Sequence, residues 1–480
     1  MLLAAWVALG LFGHDPWKPD EAYSFGLVWH ILETGDWVVP TLAGEPFVEK
    51  PPLFYWTAAI FAKLFGWALP VHDAARLATA FYVGLALYFV YLASNRRIAA
   101  PLLLAASLGY LQHAHQLITD NALVAGISIG LYGLVSRRPL VLGTAAGIAF
   151  MAKGLLGPGL LALSALFVMP WRSWPLALAA FAPWALVWPA LLYLRSPPLF
   201  DEWLWVQNLG RFTRANELGG AVDHLQYARD LVWFALPAWP LAAWAVWKKS
   251  PGIKVPLVAF VVFFVVLSAA SSARTLYGLP MLVPLAVLAA IGLESAPAAI
   301  SRPLDWLAIL IAAAGAIALW AAWIAFVAGW RPPFLEREAP GYLPQVGILA
   351  TLAAVAVTAL CASQLRKDLS ARWLAALTAV WGLAMTIWLP ALDYGKTYRG
   401  MIASMNQARP AGCVATYGLG EPQRAMFHYF AGIRAPAAPS CRLLLVQTDF
   451  PREPALGGRL LWRGTRPGDN REFFWLFERP

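Results

Sequence analysis

The chain has 480 residues, but its 36 Lys+Arg and 26 Asp+Glu make only 13% charged against roughly 25% in soluble proteins, while 60% are hydrophobic and 25 are Trp. That balance excludes a disordered chain, a collagen-like repeat, a disulfide scaffold and a string of ordinary soluble domains, whose surfaces so few charges cannot cover. A polytopic membrane protein remains. The net charge of +10 does not point to nucleic acid, because the basic residues come as isolated pairs between apolar runs and form no stripe with interleaved aromatics.

An apolar helix crosses the bilayer core in roughly 17–25 residues. The apolar runs predict about thirteen spans, at 1–13, 71–94, 98–117, 118–136, 139–153, 155–171, 173–195, 229–247, 252–270, 276–294, 304–328, 343–364 and 372–390. The pairs Arg96-Arg97, Arg137-Arg138, Lys248-Lys249 and Arg366-Lys367, with single Arg172 and Arg302, each follow such a run, the pattern of short cytoplasmic loops. The alternate loops then face outward, the N-terminus lies inside and the C-terminus outside. The whole divides into a membrane body, 1–390, and a small water-facing α/β domain, 391–480, which holds 19 of the charges.

Loop 14–70 is too long for an inert connection. Pro19 starts and Gly35 stops a helix over 20–34, placing Asp20 at its N-terminus, where a carboxylate is favoured. A second helix begins at Pro51-Pro52. Both resemble amphipathic helices lying along the membrane surface. Asp20 alone reads equally as a helix cap, and Lys50 as a snorkelling cation. The combination Asp-Glu, Gly-Asp-Trp and Glu-Lys-Pro-Pro in one exterior loop points instead to a site.

Farther along, Asp120 stands at the edge of a span, where an ionisable residue marks function or caps the next helix. His113 and His115 are two apart, a spacing that does not put two metal ligands on one helix face. In the C-terminal segment CVATYGL and RLLLVQ read as strands around a helix at EPQRAMFHYF, and GRLLWRG with REFFWLFE as a hairpin. Cys361 falls within a span. Cys413 and Cys441 share the exterior domain, and spacing leaves their pairing open.

The segments DEAYSFGLVWHILETGDWVVPTLAGEPFVEKPPLFYW, LITDNAL, FMAKG, NLGRFT, SARTLYGLP and LPALDYGKTYR resemble, in order, the bacterial branch of the protein O-mannosyltransferase superfamily that contains the aminoarabinose lipid A transferases. The resemblance implies a GT-C type glycosyltransferase in the bacterial inner membrane. Such an enzyme takes a sugar from undecaprenyl (polyprenyl) phosphate and delivers it, at the periplasmic face, to lipid A or another glycolipid among the membrane lipids. The family's first acid maps onto Asp20 with Glu21 beside it, its Glu-Lys pair onto Glu49 and Lys50, and its second acid onto Asp120.

Breaking a sugar–phosphate bond leaves positive charge on the sugar and negative charge on the phosphate. Lys50 can hold a phosphate as a point charge, Arg274 can add a bidentate contact and Tyr277 a hydrogen bond. Asp20 can take a proton from the acceptor, or orient the acceptor and steady the sugar. In loop 196–228, Arg211, His224 and Tyr227 are candidates for the lipid phosphate or acceptor headgroup, with membrane-surface anchoring the alternative for Arg211. By resemblance His224 sits near the donor phosphate, and the family's Lys-Gly motif favours phosphate contact over loop packing for Lys153. No cofactor is required; a divalent metal held by Glu49 and His224 is compatible with the pattern. The transferases commonly carry Arg and Tyr where this chain has Tyr23 and Ser24, so the sugar need not be aminoarabinose. A protein O-mannosyltransferase is one alternative. Another is a polytopic lipid or sugar transporter, although no paired repeat with broken helices is visible.

Overall fold

The computed structural model describes residues 1–210, 223–270, 274–434 and 441–479. Each of the thirteen apolar runs contains helix, yet few of them are continuous over a bilayer's thickness. Four helices are long and apolar enough to cross a membrane among the described residues: Val71–Ala93, Trp171–Arg195, Thr275–Leu293 and Ala298–Val327. A fifth is counted if Leu369–Ala384 and Leu389–Lys396, bent by 64°, form one span, and six apolar helices are shorter. The run at 98–117 breaks into Ala99–Ala105 and Leu108–His113, with Ser107 between them in an extended conformation. The run at 229–247 divides at Pro237, which cannot donate to a helical ladder. The first run yields only Leu2–Ala8, about 10 Å of helix, with Trp6 fully buried.

Loops expected on one side do meet. Arg97, after Val71–Ala93, donates to Glu294 at 2.6 Å, after Thr275–Leu293. Arg372 likewise reaches Asp305 beside the Arg366-Lys367 turn.

Loop 14–70 folds as its punctuation predicts. The helix runs Asp20–Thr34 and ends on Gly35 with φ +74°. The second runs Leu53–Phe65 from Pro52. The first of them does not lie along a membrane surface as expected, but is covered by protein. Residues Glu21 to Val28 are all buried, because the first helix is packed between Leu53–Phe65 and the Glu421–Ala431 helix of the C-terminal segment. On Leu53–Phe65 it is the outer face that carries exposed Ile60, Leu64 and Phe65.

The C-terminal sheet contains Val414–Tyr417, Leu443–Thr448, Phe473–Glu478 and Arg459–Gly464, in that spatial order. The first pair is parallel, as the intervening helix requires, and the others are antiparallel. Cys413 and Cys441, which lead into the paired strands, form a disulfide.

Docking of this segment on loop 14–70 combines close packing with charge. Phe25 and Trp29 meet the Tyr429 ring edge-on, at 4.7 and 5.0 Å between centroids. Arg424 pairs with Glu45, Arg434 with Glu33, and Lys18 with both Asp469 and Glu472. Gly26 lies at the crossing: a Cβ there would come within 2.7 Å of both Ala425 Cβ and Leu42 Cδ1. Gly26→Ala must therefore push the two helices apart, and should destabilise the fold by about 1–3 kcal/mol. The expected signature is a lower thermal midpoint in detergent, with faster proteolysis of the C-terminal segment.

Candidate active site

The candidate site grows from three breaks in loop 14–70. Pro19 precedes the helix that opens with Asp20. After Gly35, Asp36 Oδ1 accepts from the Val38 and Val39 amides at 2.9 and 3.2 Å, and Trp37 O accepts from Trp56 Nε1 at 2.6 Å. The Gly-Asp-Trp motif is thus a turn that fastens the loop to its second helix. A two-residue hairpin, Thr41–Leu42 with Glu45–Pro46, then reverses the chain through Ala43 and Gly44, both at positive φ. That reversal returns Glu49 and Lys50 to the start of the first helix.

Tyr23 lies one helical turn beyond Asp20, so its hydroxyl donates to Asp20 Oδ1 at 2.9 Å. The Tyr23 hydroxyl oxygen in turn accepts from Lys50 Nζ at 2.5 Å. Lys50 also stands 3.7 Å from Glu49 Oε1 and 4.9 Å from the Tyr23 ring centroid. Burial works against the Lys50 ammonium, but Glu49 first, then Tyr55, Asp120 and Asp20, hold its pKa raised. Burial, with the charges of Asp20 and Glu49, raises the Tyr23 phenol well above its ordinary value. The lysine is therefore a permanent cation and the tyrosine a permanent O–H donor.

The second group forms beside it. Asp120 opens the Asp120–Val135 helix and is buried, paired with Lys153 at the end of Pro139–Lys153. Lys153 Nζ also lies 4.4 Å from the Tyr277 ring centroid. Gly154 follows at φ +69°, where a Cβ would meet Asn208 Oδ1 at 2.2 Å, so glycine lets this turn close against Asn208. Asp120 acts electrostatically on both Lys50 and Tyr23, which joins the two groups. Of the residues singled out from sequence, Asp20, Glu49, Lys50, Asp120, Lys153 and Tyr277 come together.

The others are placed differently. Glu21 was expected to contact substrate, but it lies about 100° around the helix from Asp20 and is buried, accepting from Arg76 Nε at 2.7 Å and from the Trp17 and Leu117 amides. Its oxygens are engaged by protein, so it is a structural carboxylate. The Tyr227 hydroxyl donates to Arg274 O at 3.3 Å, which pins backbone and leaves no proton for a ligand. His224 Nδ1 donates to Ser268 O at 2.6 Å, and the Arg274 side chain is exposed. Arg211 lies outside the described residues. Among the described residues no three of His, Cys, Asp or Glu gather as a metal site.

Two residues here had no signal of their own. Arg76, inside an apolar span, is fully buried and donates to Glu21, to Asp73 at 2.5 Å, to His14 O at 2.8 Å and to Asp15 O at 3.0 Å. Tyr55 is fully buried, with its hydroxyl unpartnered among the described residues and in the field of Lys50, Tyr23, Glu49 and Asp20.

Buried ion pairs of this kind fail when halved. Burial alone would raise the Glu21 carboxyl, but Arg76 and then His14 leave its pKa lowered from 4.5. Its contribution to stability is thus complete above pH 4.5 and lost as pH falls through the folded value. Glu21→Gln should destabilise the protein by about 3–5 kcal/mol at neutral pH and flatten the acid fall in thermal midpoint. Asp120→Asn and Lys153→Met should each lower stability by a similar about 3–5 kcal/mol. The double variant should lose far less than the sum, as a thermodynamic cycle in detergent would record.

No family model matches the chain. It is similar to the undecaprenyl phosphate-alpha-4-amino-4-deoxy-L-arabinose arabinosyl transferase of Pseudomonas savastanoi pv. phaseolicola, 29% identical over 328 residues, or 60% of this chain and 59% of the relative. The transferase of the same name from Pectobacterium carotovorum is 27% identical over 404 residues, 76% of this chain and 71% of that one. The matched region thus spans less than two thirds of the first of these relatives. The crystal structure of ArnT from Cupriavidus metallidurans bound to undecaprenyl phosphate superimposes with a TM-score of 0.70 at 17% identity, covering 99% of this chain and 96% of that one. The same protein in its apo state gives the same score and coverage. The chain therefore has the fold of that structure and is aminoarabinose-transferase-like in sequence.

Proposed function

We propose that this multi-pass membrane protein is a glycosyltransferase that moves a sugar from undecaprenyl phosphate, or another polyprenyl phosphate, to lipid A or a related envelope glycolipid. The reaction takes place at the periplasmic face of the bacterial inner membrane. The observation that carries the reading is the convergence of Asp20, Glu49 and Lys50 with Asp120, Lys153 and Tyr277 in a chain so poor in charge. The names of the sequence relatives and the ligand of the structural one agree with it.

Each side chain has a task in that reaction. As the bond from sugar to phosphate breaks, the electron pair stays with the phosphate, and the raised pKa of Lys50 keeps a full positive charge there to receive it. Asp20 faces the positive charge that develops on the sugar, and orients the incoming acceptor oxygen; a phosphate acceptor needs no strong base. Lys153, held by Asp120, supplies a second cation whose position is fixed before the donor arrives. Opposite charges placed in advance, away from water, lower such a barrier by about several kcal/mol.

Asp20→Asn and Lys50→Ala, assayed for sugar transfer in membranes containing undecaprenyl-phosphate sugar, should each lose about 10²–10³-fold in turnover at normal protein level. Full turnover by both would end the assignment. Mass spectrometry of lipid A from cells with and without the protein decides the acceptor: a mass gained by one sugar supports lipid A, and an unchanged profile directs the search to another glycolipid.

A further inference from the structure

Between the two groups just assigned to acid and phosphate lies a residue assigned to neither. Tyr23 is buried, with 6% of its surface exposed, and the Phe47 ring lies 5.6 Å from its own. Its hydroxyl touches both active groups: it accepts from Lys50 Nζ at 2.5 Å and donates to Asp20 Oδ1 at 2.9 Å. A phenol has one proton and two lone pairs. While Lys50 donates to it, that single proton is directed to Asp20. An arginine, common at this position in the transferases the chain resembles, has no acceptor and cannot take a bond from Lys50.

We propose that Tyr23 is a positioning residue that couples donor binding to the set of the acid: it parks the Lys50 ammonium until a polyprenyl phosphate takes that cation over, and holds Asp20 Oδ1 throughout. The inference rests on the transferase reading for its chemistry. An incoming phosphate competes for Lys50 with a neutral hydroxyl, which an anion outmatches, so the cation is easily released. Tyr23 keeps its bond to Asp20 after Lys50 has turned away, because the donated proton is independent of the accepted one. The second carboxylate oxygen is then presented to the sugar or the acceptor in one orientation. Charge-assisted bonds of this kind are worth about 1.5–3 kcal/mol, enough for an orientation effect on the order of 10–100-fold.

Tyr23→Phe removes the hydroxyl and keeps the ring in its packing. Two readouts on the full-length protein in detergent or membranes test the proposal: undecaprenyl phosphate binding, followed by tryptophan fluorescence, and the kinetics of sugar transfer. The expected result is a turnover number lower by about 10–100-fold, with a few-fold tighter affinity for undecaprenyl phosphate, since Lys50 has lost its competitor. An unchanged turnover number overturns the proposal. So does weakened binding, which would show that Lys50 had closed on Asp20 or lost its support. Lys50→Ala serves as the reference for weakened binding. If the wild type binds undecaprenyl phosphate but transfers no sugar, the transferase reading fails by itself. The binding arm then decides alone: tighter binding by Tyr23→Phe supports the exchange of Lys50 from hydroxyl to phosphate, and unchanged or weaker binding overturns it.

Discussion

The Arg76 guanidinium is the contact on which the remainder of the structure depends. It is wholly enclosed, and burying a charge without partners is prohibitive, so its N–H groups must all be met. They are met by the carboxylates of Glu21 and Asp73 and by the carbonyls of His14 and Asp15. One side chain from an apolar helix thereby fixes the strand of residues that leaves the first helix and the first turn of the Asp20–Thr34 helix. Glu21 cannot shift without stranding that charge, and Asp20, its neighbour in sequence, is fixed with it about 100° around the helix. The Asp20 carboxylate, proposed to face the sugar, owes its position to the ion pair of its neighbour.

The same network continues into the C-terminal segment. Asp15, whose carbonyl serves Arg76, gives its carboxylate to Thr397 and Arg399, and its amide donates to Asp393 at 3.0 Å. Trp17 Nε1 reaches the same Asp393 oxygen at 2.9 Å. Charges scarce elsewhere are concentrated where the first long loop, the membrane body and the terminal sheet join. Low exposure there strengthens each pair and equally forbids its loss.

What could be read in the sequence was what local chemistry decides. Pro19 and Gly35 bounded a helix to the residue, the Pro51-Pro52 step began the next, and strand alternation with turn residues located the terminal sheet. The Asp20, Lys50 and Asp120 constellation was visible because ionisable residues are few. What could not be read depended on partners distant in sequence. Glu21 and Asp20 look interchangeable as letters, and only the helical angle between them sends one to Arg76 and the other to Tyr23. Arg76 stands among apolar residues, and of its partners only Asp73 lies near it in the sequence. The first helix was mistaken for an interfacial one since its cover, Glu421–Ala431, comes some 400 residues later. Tyr227 has the chemistry of a ligand contact, but backbone from another turn claims its proton.

That long separation has a mechanical consequence. Phe25, Trp29 and Gly26 meet Tyr429 and Ala425, while Glu33, Glu45 and Lys18 meet Arg434, Arg424 and Asp469. Segments some 400 residues apart thus share one packed seam. A substitution on either side of it is felt on the other, so the two stretches of sequence are not free to vary independently.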